Sequence, residues 1–281
     1  MTTYRLLAID IDGTLLNSRD EVTPAVRAAL ARATRAGVHV VLATGRRYSR
    51  ALHLVEPLGL ELPLITASGA LVKNPLDHRT LFRAEFHRPS LCKSLAMIHA
   101  CGYDPLLCSD TFDQGIDFYH ACQQARNAQL AEYMDLNPGC GLRLPAMISD
   151  PPLDPFAGFV MGTREQMLEL DRLLHERLPG RFSTNVLRSP RYSGFICEFA
   201  PEGVTKWSAI LRLASEWGID ENEICAVGDD VNDIAMIRAA RLGVAMGNAQ
   251  PAVKAAADRI APTHDEDGLA RVVEWLLEGI T

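Results

Sequence analysis

Leu6 to Thr14 reads LLAIDIDGT, and this stretch decides the fold. The apolar run Leu6 to Ile9 is unbroken, as a strand covered on both faces requires, and it stops at Asp10. Thr23 and Pro24 then supply an N-cap and a first helical residue, Val26, Ala29, Leu30 and Ala33 form a helical stripe, and Gly37 closes the element. A second strand, Val38 to Ala43, follows at once and ends in Thr44-Gly45-Arg46. After another helical stretch a third run, Leu62 to Ala67, ends in Ser68-Gly69. Three strands that each end in small polar residues predict a parallel sheet with a site at its C-terminal edge.

From Glu85 to Arg191 this rhythm is lost. Proline and glycine recur at Pro138-Gly139, Pro145, Pro151-Pro152, Pro155 and Pro179-Gly180, between helical and strand-like pieces. Alternation resumes with a helix from Lys206 to Trp217, the strand Ile224 to Val227 ending in Gly228-Asp229, and a helix starting near Asn232. Short strands at Gly243 to Met246 and Asp258 to Ala261 flank a helix opened by Pro251. A last helix carries Leu269, Val272, Val273, Leu276 and Leu277. The predicted architecture is α/β, a doubly wound, Rossmann-like parallel-sheet core at 1–84 and 192–281, interrupted by an α+β domain at 85–191.

A chain of 281 residues, 48% of them hydrophobic, is long enough for such a core and a second domain. Its net charge of −7 lacks the basic surplus that neutralises a phosphodiester backbone, so nucleic acid is excluded as a partner. The opening stretch is interrupted by Arg5, Asp10 and Asp12, too short and too charged for a signal peptide, and no run approaches a membrane span. The expected location is the cytoplasm. Seven cysteines without a CxxC pair fit reduced thiols better than disulfides or a zinc site. Oligomeric state is not written in the sequence.

The chemistry-bearing residues sit where the strands end. Asp10 and Asp12, two residues apart on an extended chain, point the same way and can share one ion or one substrate, while Gly13 lets the chain turn. Alone, this pentapeptide also fits an Asp-rich turn capping a helix. Asp229-Asp230-Val231-Asn232-Asp233 repeats the pattern after a second strand, and caps on successive turns do not account for five acidic residues gathered at one edge. Hard oxygen ligands of this kind suit magnesium, and without His or Cys zinc is disfavoured. Thr44-Gly45-Arg46 offers a hydroxyl and backbone N–H groups, a generic oxyanion cradle. Lys206, at a helix start, places a point charge on a phosphate or holds a carboxylate ionised.

DIDGT, TGR, the lysine of GVTKW and GDDVND, in that order, resemble the four motifs of the haloacid dehalogenase superfamily of phosphatases. AMGNAQPAVKAAAD and DEDGLARVVEWL are similar to the tail of its Cof-type branch, subfamily IIB, which inserts an α/β cap after the third strand. The resemblance implies an aspartyl-phosphate phosphatase. Asp10 would be the nucleophile, and Asp12 would protonate the leaving oxygen and then activate water. Magnesium would be held by Asp10, the backbone carbonyl of Asp12, and Asp229, with Asp233 as ligand or support. Phosphate would meet Ile11, Thr44, Gly45, Lys206 and Asn232. The implied substrate is a small phosphorylated metabolite, with sugar phosphates favoured. A sugar phosphomutase and a non-catalytic phospho-accepting regulator are the alternative readings.

Two positions depart from the pattern. Ser68 stands where Cof-type members commonly have asparagine, and Trp207 replaces the usual glycine after the lysine. Trp207 is expected to pack against the core. In the inserted domain, Arg126, Arg143, Arg188 and Arg191 are candidates to meet an anionic leaving group.

Overall fold

The computed structural model describes residues 4–55, 58, 62–188 and 192–279. The chain divides into two compact units, Met1–Phe82 with Thr205–Thr281, and Arg83–Val204. The first unit opens with β1 (Leu6–Asp10), in which all five residues are buried. Thr23 caps α1 (Pro24–Arg35) by accepting the Val26 N–H at 3.2 Å, the partner that an N-cap threonine is expected to find. Val26, Ala29, Leu30 and Ala33 are its buried face. There follow β2 (His39–Ala43), α2 (Tyr48–Val55), β3 (Leu64–Thr66), β4 (Leu71–Lys73) and β5 (Thr80–Arg83).

The second unit contains α3 (Arg88–Ala100), β6 (Leu106–Ser109), β7 (Phe118–His120), α4 (Ala128–Asp135), β8 (Gly141–Arg143), β9 (Pro155–Gly162), α5 (Arg164–Arg177), β10 (Phe182–Arg188) and β11 (Phe195–Pro201). Its sheet runs β10-β11-β9-β6-β7-β8. The pairing is antiparallel except between β7 and β8. Leu91, Leu95 and Ile98 of α3 and Met167, Leu170 and Leu174 of α5 pack with Val160, Cys197 and Phe199 into one core. This is the expected α+β composition, but the return boundary moves. The reading that ended the insertion at 191 is corrected to Val204. The physical reason is pairing at long range, since Phe195–Pro201 bonds along its length to β10 and β9.

The chain returns with α6 (Lys206–Glu216), β12 (Ile224–Gly228), α7 (Ile234–Ala239), β13 (Leu242–Ala245), α8 (Pro251–Lys254), β14 (Arg259–Ile260) and α9 (Gly268–Glu278). The sheet of this unit runs β14-β13-β12-β1-β2-β3-β4-β5. From β14 to β3 the neighbours are parallel, and β4 turns back antiparallel on β3. Helix-linked parallel strands need cover on both faces, which explains their unbroken apolar runs. Leu6, Ala8, Val41, Ile65 and Ala226 meet Ala209, Ile210 and Leu213 of α6 in the core, and Trp207 packs against that cluster. All seven cysteines are free thiols. Among the described residues no helix is long and apolar enough to cross a membrane.

Candidate active site

The register of the central strands determines what emerges at their C-terminal edge. Ile9 lies beside Val227 of β12, and Asp10 beside Ala43 of β2. Asp229, two residues past Val227, and Thr44, directly past Ala43, therefore leave the sheet next to Asp10. Asp10 is buried, and its Oδ1 accepts from the Lys206 ammonium at 2.6 Å. The same Nζ donates to Asp233 Oδ1 at 2.7 Å, so one lysine ties the end of β1 to the loop between β12 and α7. Lys206 can be placed so exactly at the head of α6 because Thr205 caps the helix in a reciprocal pair with Ser208. Close packing fixes that cap in turn. Gly69 has φ +108°, and a Cβ there would lie 2.1 Å from the Thr205 carbonyl.

After Asp10 the chain makes a tight turn over Ile11–Leu15, closed by the Leu16 N–H on the Ile11 carbonyl at 3.0 Å. Gly13 carries the turn at φ +75°, and a Cβ there would stand 2.3 Å from Asp229 Oδ2. Only glycine lets the two acidic loops approach this closely. Thr14 Oγ1 donates to Asp229 Oδ1 at 3.4 Å. On the β12 side, Asp233 Oδ2 accepts the backbone N–H groups of Asp229 and Asp230, each at 3.0 Å, and folds the loop on itself.

Asp10, Asp229 and Asp233 each place a carboxylate oxygen within 4.8 Å of the others. Burial pushes the Asp10 carboxyl well above the usual carboxylate range; Lys206 opposes this, and Asp233 and Asp229 add to it. Burial, then Asp233 and Asp230, push Asp229 up to about 7. Burial alone would depress Lys206, but Asp10 and Asp233, through charge and hydrogen bonds, hold its ammonium above the ordinary lysine range. Three carboxylates thus share one ammonium, an arrangement short of positive charge. A divalent cation supplies what is missing, and an all-oxygen donor set matches a hard one. These residues fit a divalent-metal site.

A family model described as haloacid dehalogenase-like hydrolase matches residues 7–273. The chain belongs to the haloacid dehalogenase-like hydrolases. Over 97% of its length this hydrolase is 29% identical to the phosphatase YwpJ of Bacillus subtilis (strain 168), covering 100% of that protein. It is 30% identical, over 97% of its own length and 96% of the relative's, to the 5-amino-6-(5-phospho-D-ribitylamino)uracil phosphatase YcsE of the same organism. The solved structure of the subclass IIB sugar phosphatase BT4131 shares its fold, with a TM-score of 0.76 at 21% identity over 99% of this chain and 100% of that one.

Most residues singled out from the sequence of this hydrolase meet at the one edge. Thr44 is fully buried, and its hydroxyl accepts the Arg46 N–H at 3.0 Å, which leaves its own proton to donate. Gly45 lies between them. The Ile11 side chain is buried, so only its backbone is placed to meet a ligand. Asn232 donates to Ser68 Oγ at 3.4 Å, so the serine that departs from the family pattern touches a motif residue.

Asp10 and Asp12 do not direct their carboxylates at one ion as the spacing allowed. The two side chains part at the turn. Asp12 stays outside the three-carboxylate group and is gripped by Arg46, whose Nε lies 2.7 Å from Oδ2 and 3.0 Å from Oδ1, with Nη2 also on Oδ1. Asp230 is a cap: its Oδ1 accepts the Val231 N–H at 2.7 Å.

Arg46 as partner of Asp12 and Asn248 as partner of Asp229 were not foreseen. Both stand in quoted motifs, TGR and AMGNAQ, but their contacts join residues far apart in sequence. In the second unit Arg126 is engaged by Asp104 at 3.3 Å and by the His99 carbonyl at 3.1 Å. Arg143 and Arg188 are exposed, and Arg191 lies outside the described residues.

Proposed function

We propose that this hydrolase is a magnesium-dependent phosphatase of a small phosphorylated metabolite, with sugar phosphates favoured. The observation that carries the reading is the buried Asp10–Lys206–Asp233 triad beside Asp229. A carboxylate ionised in such burial is an activated nucleophile, and a fixed ammonium beside it suits the charge of a transferring phosphoryl group. Lys206 occupies Oδ1 of Asp10, so the other oxygen is the one to attack.

In the first half-reaction this oxygen bonds to phosphorus, the phosphorus–oxygen bond to the substrate alcohol breaks, and Asp12, protonated and released from Arg46, gives its proton to the departing oxygen. In the second, water attacks the phosphorus of the aspartyl-phosphate and passes a proton to Asp12. The bond to Asp10 breaks, and inorganic phosphate leaves. Thr44 by its hydroxyl, Ile11 and Gly45 by backbone N–H groups, and Lys206 and Asn232 by their side chains would hold the phosphoryl oxygens. Magnesium would be held by Asp10, Asp229 and the Asp12 carbonyl, with Asp233 as ligand or support, and when bound would neutralise charge on the phosphoryl oxygens. Two curated relatives bear phosphatase names, and that of YcsE describes a phosphorylated ribityl compound, in keeping with a sugar-like alcohol as the leaving group.

The test is release of inorganic phosphate from p-nitrophenyl phosphate and from a panel of sugar phosphates, with and without magnesium. Asp10→Asn is expected to lower turnover by about 10⁴-fold or more. Full activity in that variant would end the mechanism. An isomerised sugar phosphate in place of free phosphate would make the protein a mutase.

A further inference from the structure

We propose that Asn248 is a positioning residue that holds the Asp229 carboxylate for its cation; the proposal rests on the metal reading above. Its Nδ2 donates to the Gly13 carbonyl at 2.8 Å and, over a longer 3.4 Å, to Asp229 Oδ2. Its Oδ1 accepts the His264 N–H at 3.0 Å, which fixes which end of the amide is the donor. One side chain therefore fastens three segments: the turn after β1, the loop after β12, and the approach to α9. Asn248 is itself firmly seated. The Met246 N–H donates to the Gly228 carbonyl at 3.0 Å, and the Gln250 N–H to the Asp229 carbonyl at 3.2 Å, so the backbone on both sides of Asn248 is bonded to the loop it steadies.

The arrangement serves Asp229 specifically. Asp233 has the lysine and two backbone amides, and Asp10 has the lysine. The side-chain oxygens of Asp229 rest on Thr14 and Asn248. Of these two, Asn248 alone also ties down the Gly13 backbone, against which the Asp229 carboxylate lies. Partners that orient a ligating carboxylate typically control metal affinity by 10- to 100-fold.

The experiment is calorimetric titration of magnesium chloride into the substrate-free protein, paired with turnover of p-nitrophenyl phosphate at saturating magnesium. Asn248→Ala is expected to raise the magnesium Kd by about 10- to 100-fold. Turnover at saturating metal should stay within about 3-fold, because the Asn248 side chain bonds to Gly13, Asp229 and His264 and not to Asp10. Asn248→Leu keeps the approximate shape, removes the donor and adds no charge, so its Kd should rise as well. Thr14→Val, which leaves the Gly13 tie intact, should weaken binding less than Asn248→Ala does. Magnesium affinity within 2-fold of the parent in both Asn248 variants, with cooperative melting preserved, would overturn the proposal. So would a loss of turnover that saturating magnesium does not restore while Kd is unchanged. Failure of the metal reading has a different signature, since neither the parent protein nor Asp229→Ala would then show a magnesium isotherm; that result removes the proposal too. The phosphatase reading is judged apart, by Asp10→Asn.

Discussion

The two units differ in what they enclose most densely. At the sheet edge of the first, Asp10, Lys206 and Asp233 are charged, close together and almost wholly enclosed. The second encloses aliphatic side chains and two groups of rings: Phe118, Tyr133 and Phe159 lie with centroids 5.3 to 6.3 Å apart, and Phe86, Phe182 and Phe199 at 6.0 Å. Aromatic surface needs only shape to be content, whereas enclosed charge needs a partner at every oxygen. The first unit thus spends conformational freedom on chemistry, and the second on packing.

Three substitutions test that contrast. The largest effect is expected for Lys206→Met, which leaves Asp10 and Asp233 enclosed without their cation. It should lower the stability of the metal-free protein by about 3–5 kcal/mol in urea denaturation and abolish turnover as well. A loss below about 1 kcal/mol would mean that the edge tolerates its charges without the lysine. Next comes Phe199→Ala in the second unit, expected to cost about 3–5 kcal/mol in the same measurement through the void it leaves. Magnesium-induced thermal stabilisation should be unaffected, since the three carboxylates lie in the other unit. Loss of that stabilisation would show that the second unit is not merely packed.

The smallest effect concerns His120. It is buried in the second unit, and burial depresses its pKa below the ordinary 6.5, with Arg143 adding to the depression and the Cys122 carbonyl and Asp104 opposing it. The unfolded chain therefore takes up the proton first as pH falls. The histidine's contribution to stability is intact above pH 6.5 and is lost as pH falls through the depressed value. The melting temperature of the parent should decline more steeply than that of His120→Phe between pH 6.5 and 5, and parallel slopes would remove His120 as the cause.

What could be read from the chain follows the same division. Asp10, Thr44, Lys206 and Asp233 were legible because each stands at a junction between strand and helix, where local pattern fixes both the backbone and the exit direction. Asp12 was legible by identity but not by placement, because spacing along an extended chain does not reveal that the turn at Gly13 sends its carboxylate to Arg46. Asn248 stands in the AMGNAQ stretch, whose local pattern gives no sign that its partners are Gly13 and His264. The return boundary was missed for a related reason. Phe195–Pro201 is an apolar run broken only by Glu198, which would suit a strand of either unit, and its partners β9 and β10 are set by long-range pairing.

The way the chain re-enters the first unit limits how the protein can be rebuilt. The second unit ends at Val204, Thr205 caps the next helix, and Lys206 already holds Asp10. No slack separates the exchangeable part from the reactive part on that side. A graft that swaps in a different insertion must leave β5 (Thr80–Arg83) paired in the sheet on one side, and on the other it must deliver the threonine cap in register, or Asp10 loses its counter-charge.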